Sequence, residues 1–322
     1  MPVRTLPALL LTSVTLALAA CGGREEAPPT RFTFTLRPPD GAVLVQRVIA
    51  ERVQDLAGAP PLSERSESVV SLTFERIEAG YRVTARQISS KTMRDGKPIE
   101  NEVSKLLQAK PASYEIDENG QVRAVRGFED ITQRIEAELP EGLSKVLKPV
   151  LTEELLVSRG RDEWNSRYGN FAGRSIEIGD IWTDPQVVEL PGAGRLRQYT
   201  VTWFPMTRRC DERHCVRIRI FFNSDRALLV QELEAILGER AAKLFDDTPE
   251  EKLDHAAEGV TLSGEIDRLV DPSTLLPVHE RHLKITTHIA PRPDGTLVPL
   301  TVTETKEYEF DLHTDTELNA AL

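Results

Sequence analysis

The chain has 322 residues, with 40 Lys and Arg against 51 Asp and Glu, a formal charge of −11. A chain this acidic is excluded from tracking nucleic-acid phosphates and is a poor match to an anionic lipid surface, so its net charge reads as solubility. The length holds one large domain or two small ones, with a real core.

The first residues are an address. A basic start, the amino terminus and Arg4, precedes an apolar stretch from Leu6 to Ala19. That stretch is too short to span a bilayer and has the layout of a secretory signal peptide over residues 1–20. It ends in Leu18-Ala19-Ala20-Cys21, and these small residues before a cysteine resemble the lipobox of bacterial lipoproteins. The resemblance implies a cut before Cys21 and acylation of its thiol, hence a cell-envelope protein attached to a membrane by an N-terminal lipid. Gly22, where aspartate would retain a lipoprotein in the inner membrane, implies the outer membrane of a Gram-negative host, facing the periplasm or the surface. A plain signal-peptidase site beside a chance cysteine is the alternative, and it leaves a free thiol at the mature amino terminus. Cutting there removes Arg4, leaving 39 basic against 51 acidic residues, a formal charge of −12. Residues 21–30 contain Gly, Pro and charged residues and read as a flexible tether.

The body, 31–312, opens with alternation. Phe32, Phe34 and Leu36 predict a half-buried extended segment, and Pro38-Pro39-Asp40-Gly41 a turn before a strand from Ala42 to Val53. Val70, Leu72 and Phe74, then Glu78-Ala79-Gly80, then Tyr81, Val83 and Ala85 predict a hairpin. Arg94-Asp95-Gly96 is a turn, Asn101 to Gln108 a short helix, and Glu118-Asn119-Gly120 the turn of a second hairpin. From Phe128 to Tyr168 apolar residues recur at helical spacing. Pro140 and Pro149 divide this stretch into two or three helices whose leucine faces are expected to pack on the sheet.

Strands resume at Ser175. Arg195–Phe204 and Val216–Phe222 form the clearest pair, with Arg217 and Arg219 on the face opposite Val216, Ile218 and Ile220. Ser224 can cap a helix from Asp225 to Phe245, and Thr248-Pro249-Glu250-Glu251 a second one ending at Gly259. Three long strands follow, Val260–Val270, Val278–Ile289 and Leu297–Leu312, before a frayed tail, 313–322. The fold class is α+β, mainly antiparallel sheet. Strand, helix, strand, helix, strand fits one domain with a broad curved sheet or two lobes, 31–127 and 175–312, around a helical 128–170.

Chemistry is harder to find. With Cys21 assigned to lipid, Cys210 and Cys215 remain as an even pair at a strand reversal, which predicts a disulfide in an oxidising compartment. A metal site built with His214 and Asp211 lacks further ligands, and the spacing does not suit a redox centre. His279-Glu280-Arg281-His282 is one residue short of the zincin motif and lies on a strand. The two histidines therefore face opposite ways and read as exposed strand residues. Asp246, Asp247, Glu250, Glu251 and Asp254 fit helix-start carboxylates better than a calcium loop. No nucleophile elbow, Walker loop or dinucleotide fingerprint occurs, so no catalytic residue, metal or cofactor is assigned.

Ile178-Gly179-Asp180-Ile181-Trp182, the Asp117-to-Val122 hairpin and the Gly264-to-Pro277 strand pair resemble a loose class of secreted bacterial sheet proteins, many of them lipoproteins. That class carries no known catalytic residues, and Trp182 is expected to pack on the sheet. The leading expectation is a non-enzymatic envelope module with a protein partner. The alternative is a half-barrel carrier of a hydrophobic ligand, and the third a carboxylate hydrolase, which needs a cleft with perturbed acids.

Overall fold

In a computed structural model, residues 29–314 are described, apart from 101, 109, 150, 191–193, 212, 247–252 and 293. Cys21, the signal peptide, most of the tether and the helix expected at Thr248 lie outside the described residues.

The strands are β1 (Arg31–Thr33), β2 (Ala42–Leu56), β3 (Leu62–Ile77), β4 (Gly80–Arg94), β5 (Lys97–Ile99), β6 (Ala112–Asp117), β7 (Val122–Arg126), β8 (Ser175–Glu177), β9 (Ile181–Leu190), β10 (Gly194–Trp203), β11 (Thr207–Cys210), β12 (Arg213–Asn223), β13 (Thr261–Val270), β14 (Pro277–Pro291) and β15 (Leu297–Thr314). The helices are α1 (Glu102–Gln108), α2 (Ile131–Glu138), α3 (Glu141–Leu147), α4 (Glu153–Trp164) and α5 (Arg226–Leu237). The class read from the sequence, mainly antiparallel sheet with helices, holds.

Thirteen strands form one open sheet in the order β7-β6-β4-β3-β2-β15-β14-β13-β12-β10-β9, with β5 beside β4 and β11 beside β12. Every ladder is antiparallel, and β2 pairs with β15 from Ala42↔Thr314 to Leu56↔Leu300, so strands from both ends of the chain share one sheet. The last strand thus extends past Leu312 into what the sequence reading took as tail. β1 and β8 make a separate two-stranded ribbon. It is shorter than the alternation of Phe32, Phe34 and Leu36 suggested. Phe34 and Leu36 are buried, but the Phe34 and Thr35 amides donate to Arg174 and Pro272 in irregular backbone.

The main core lies under the lower part of one sheet face, where the strands carry Leu44, Phe74, Val83, Val216, Ile218 and Val270. It is closed from outside the sheet by Phe34, Trp164, Tyr168, Phe171 and Ile176. Trp182 joins this group at its edge, with its ring centroid 4.6 Å from that of Phe204, so its expected packing role holds.

Three local expectations are corrected. The helices before Asn165 do not all rest on the sheet: Leu106, Ile131, Ile135, Leu139 and Leu151 form a cluster of their own with Leu143, Leu147 and Leu156. Asp225, not Ser224, caps α5, its carboxylate accepting from the Ala227 and Leu228 amides; the Ser224 hydroxyl accepts from Leu262 N in β13. The helix expected to reach Phe245 ends at Leu237, because Gly238 adopts φ +58 before a 3₁₀ turn that runs to Lys243.

Above the core the same face changes character. Lys284, Glu304, Arg52, Glu64 and Arg94 are successive cross-strand partners on β14, β15, β2, β3 and β4, a row of alternating sign across five strands. Arg94 lies 3.1 Å from Glu64 and Arg52 lies 3.5 Å from Glu304. The opposite face of this region carries Thr301, Thr303 and Thr305, and Arg65 bridges Glu51 at 2.8 Å.

Candidate functional site

The densest chemistry among the described residues sits where the core meets this upper sheet. Glu280 on β14 has no exposed surface. Its neighbour on β13 is Arg268, 2% exposed, and its neighbour on β15 is Tyr308. Directly after α4 the chain widens into a single π-helical turn, Asn165–Gly169. The wider turn carries two successive large side chains, Arg167 and Tyr168, into the core together. A Cβ at Gly169 would lie 2.5 Å from Asn165 Oδ1, so a larger residue there would require the Asn165 side chain to move.

Arg167 donates from Nε to Glu280 Oε1 at 3.2 Å and from Nη1 to Gln46 Oε1 at 3.2 Å, and its guanidinium lies 4.7 Å from the Tyr308 ring centre. Arg268 donates from Nε to Glu280 Oε2 at 2.5 Å, and from Nη1 to the carbonyls of Ser166 and Arg167. His282 donates from Nε2 to Glu280 Oε1 at 2.5 Å. One carboxylate thus ties β13 and β14 to the π turn, Arg167 extends the link to Gln46 on β2, and Arg268 occupies two of that turn's carbonyls.

Burial acts to raise the Glu280 pKa, but the charges of Arg268 and Arg167 offset it and hold the group well below the usual carboxylate range. Burial acts to lower the Arg167 pKa, and the Glu280 carboxylate reverses this, leaving it raised. Burial lowers His282 despite its bond to Glu280, so the imidazole is neutral near pH 7. Burial pushes the Tyr168 hydroxyl up to about 12. The two arginines and one carboxylate leave one surplus positive charge in the interior. Glu163, mostly exposed and 3.5 Å from Arg167, balances it at the rim.

Chemically this is a clamp. Both Glu280 oxygens are occupied, and the neutral His282 spends its proton on the same carboxylate, so the pair offers no free base to a substrate. The Tyr168 hydroxyl and Asn165 Oδ1 are the buried side-chain atoms without a hydrogen-bond partner among the described residues.

The sequence reading rightly placed His279 and His282 on opposite faces, but His282 is not exposed: it packs beside Glu280 and against the Tyr308 ring. The reading missed Glu280, Arg268 and Arg167. A signal was present for two of them: Arg268 occupies the apolar parity of β13, with Leu262, Ile266 and Val270, and Arg167 follows Trp164 on the helical stripe that continues to Tyr168 and Phe171. Cys210 and Cys215 form a disulfide, with Cα atoms 5.9 Å apart, in the β11–β12 hairpin. Asp246 and Asp254 are exposed, while the acids between residues 247 and 252 lie outside the described residues. Among the described residues no group of His, Cys, Asp and Glu could hold a metal ion, and no helix is long and apolar enough to cross a membrane.

No protein-family model matches the chain, and no curated protein matches it. Among solved structures it is similar to lipovitellin, in a study of lipid–protein interactions, at 8% identity and a TM-score of 0.44 over 85% of this chain and 26% of that one. The chain therefore spans about a quarter of the lipovitellin chain. It is similar to an exported protein with a YmcC-like fold from Bacteroides fragilis at 10% identity and a TM-score of 0.23, covering 84% of this chain and 97% of that one. It is also similar to the β domain of the Bordetella autotransporter BrkA, at 8% identity and a TM-score of 0.21, over 84% and 99%. At these identities and scores the likenesses carry nothing about what this chain binds.

Proposed function

We propose that this chain is a cell-envelope lipoprotein, cut before Cys21, acylated there, and serving as a non-enzymatic binding module held off the membrane by residues 22–30. The observation that carries this is the run Leu18-Ala19-Ala20-Cys21 behind a charged start and an apolar stretch of signal-peptide length. The paired Cys210 and Cys215 support it, because they leave Cys21 as the one cysteine without a disulfide partner and suit an oxidising compartment. The commitment of Glu280 and His282 to holding the fold supports a binding role over a catalytic one. The open sheet, with a charged row on one face and threonines on the other, offers two wetted surfaces to an envelope partner.

The test is incorporation of labelled palmitate in a Gram-negative host. The wild-type chain is expected to take up label and sediment with membranes, and Cys21→Ser to lose both. Label retained in Cys21→Ser, or absent from the wild type, overturns the anchor.

The carrier reading is favoured by one feature, a second apolar cluster on the sheet in which Leu196, Phe222 and Leu262 are buried and Val260 and Ile266 pack against them. Native mass spectrometry of the exported chain tests it. Near-stoichiometric lipid would replace the protein-partner reading, and a bare mass would leave the cluster as packing.

A further inference from the structure

The π turn does not satisfy its own backbone. Asn170 N donates across it to Asn165 O, while Phe171 N and Ala172 N both donate to Tyr168 O. The Ser166 and Arg167 carbonyls in between are taken by Arg268, a side chain of the sheet. The same turn holds both buried side-chain atoms that lack a partner among the described residues, Asn165 Oδ1 and the Tyr168 hydroxyl. Orphaned buried polar atoms raise the energy of this conformation, and a single π turn at the end of an α-helix has an α-helical alternative close by. The turn is therefore held from outside. Glu280 holds it, by anchoring Arg268 and by receiving Arg167 directly.

Glu280 has one neighbour whose charge can change near neutral pH. His282 donates from Nε2 to Glu280 Oε1, which leaves Nδ1 to take a second proton. The charged and titratable groups around the ring are Glu280 and Lys284 on its own strand, Arg268 on β13, Glu304, Lys306 and Tyr308 on β15, and Arg167 with Glu163 from the covering segment. The buried members are two cations and one anion, so a charged His282 adds a second surplus positive charge beside Arg167 and Arg268. Burial already lowers the His282 pKa, so the closed clamp binds that proton more weakly than an opened one, and falling pH favours opening. The clusters around Leu229 and Leu233 and around Ile131 and Ile135 do not include the turn.

We propose that the π turn is an acid-released latch: proton uptake by His282 frees Arg167 and Tyr168 from the sheet, and residues 164–173 lift from the lower core while the strands stay paired. Trp164 and Phe171, which close that core, then face solvent and give the chain a second surface at low pH. The bistable element is the turn, and the charge at His282 biases it.

Hydrogen exchange of the exported full chain, normalised at each pH to unfolded peptides of the same sequence, gives the opening constant of each segment. From about pH 7.5 to about pH 5.5 the opening constant of peptides covering 165–172 is expected to rise about tenfold, the change over one pH unit below the ~6.5 of a free histidine. It should be insensitive to low urea, whereas amides in 216–222 follow the urea dependence of global unfolding. His282→Gln, whose amide can still donate to Glu280, is expected to abolish the rise and keep the protection seen at the higher pH. Tyr168→Phe removes an unpartnered hydroxyl and is expected to lower the opening constant roughly fivefold or more at both pH values. An opening constant that does not change with pH overturns the proposal. So does a urea dependence at 165–172 equal to that at 216–222, which would make the acid effect global. A rise that survives in His282→Gln overturns it by placing the proton elsewhere, and easier opening in Tyr168→Phe overturns it by showing that the hydroxyl holds the turn.

Discussion

The lower and upper parts of the sheet use the same strands and are held by different forces. Below, β2, β3 and β4 bury Leu44, Phe74 and Val83 under an aromatic cover supplied by residues 34–36 and 164–176. Above, the row from Arg94 to Lys284 and the bridges of Arg65 are wetted, and the sheet relies on its ladders and on cross-strand charge. Burial at ~25 cal/mol per Å² makes the lower part the source of stability. Exposed ion pairs fix register and keep an open edge soluble at little gain. Glu280, a carboxylate with no exposed surface, sits at the border.

The sharpest way to break this contrast is Glu280→Gln. It leaves Arg268 and Arg167 buried without a counter-charge and should cost ~3–5 kcal/mol in chemical denaturation, the penalty for an orphaned buried ion. Its pH signature is directional. Glu280 titrates below its unfolded value of ~4.3, so its contribution is present above that pH and is lost as pH falls toward the folded pKa. His282 is held below ~6.5, so the unfolded chain binds its proton more readily, and stability starts to decline as pH falls through ~6.5. A denaturation series against pH should show both steps, and His282→Gln should remove only the upper one.

Phe204→Ala comes next. This fully buried ring contacts Phe34, Phe171 and Trp182, and its loss should cost ~3–5 kcal/mol. Replacing Cys210 and Cys215 with serine should cost ~2 kcal/mol or less, because the closed loop is short. Arg52→Ala, in the charged row, should cost under ~1 kcal/mol and lose most of that effect in high salt. A cost as large as that of Phe204→Ala would show that the upper row is structural in the way the core is.

Much of this contrast was legible in the sequence. Alternation placed β2, β4, β10 and the three closing strands within a few residues, because each has one face that must be apolar or near it. β9 past Trp182 was not legible: Thr183-Asp184-Pro185-Gln186 has no alternation, and the strand survives as a sheet edge where proline costs no ladder bond. The closure of β2 on β15 was hidden because pairing between chain ends leaves no local mark. The Glu280 clamp was hidden for the same reason, Arg167 and Glu280 being 113 residues apart. What strand parity did offer, an arginine at Arg268 among apolar positions, is a signal that buried charge gives whenever its partner comes from elsewhere.

Hydrogen exchange of the full chain, resolved by peptide, tests the two-part sheet most directly. Amides in 42–46, 72–76, 81–83 and 216–222 are expected to exchange only through global unfolding, while those in 50–56, 62–67 and 297–305 open locally and exchange faster by orders of magnitude. Equal protection along the whole length of β2 and β15 would contradict the account, since it would mean that the upper sheet is as firmly covered as the core.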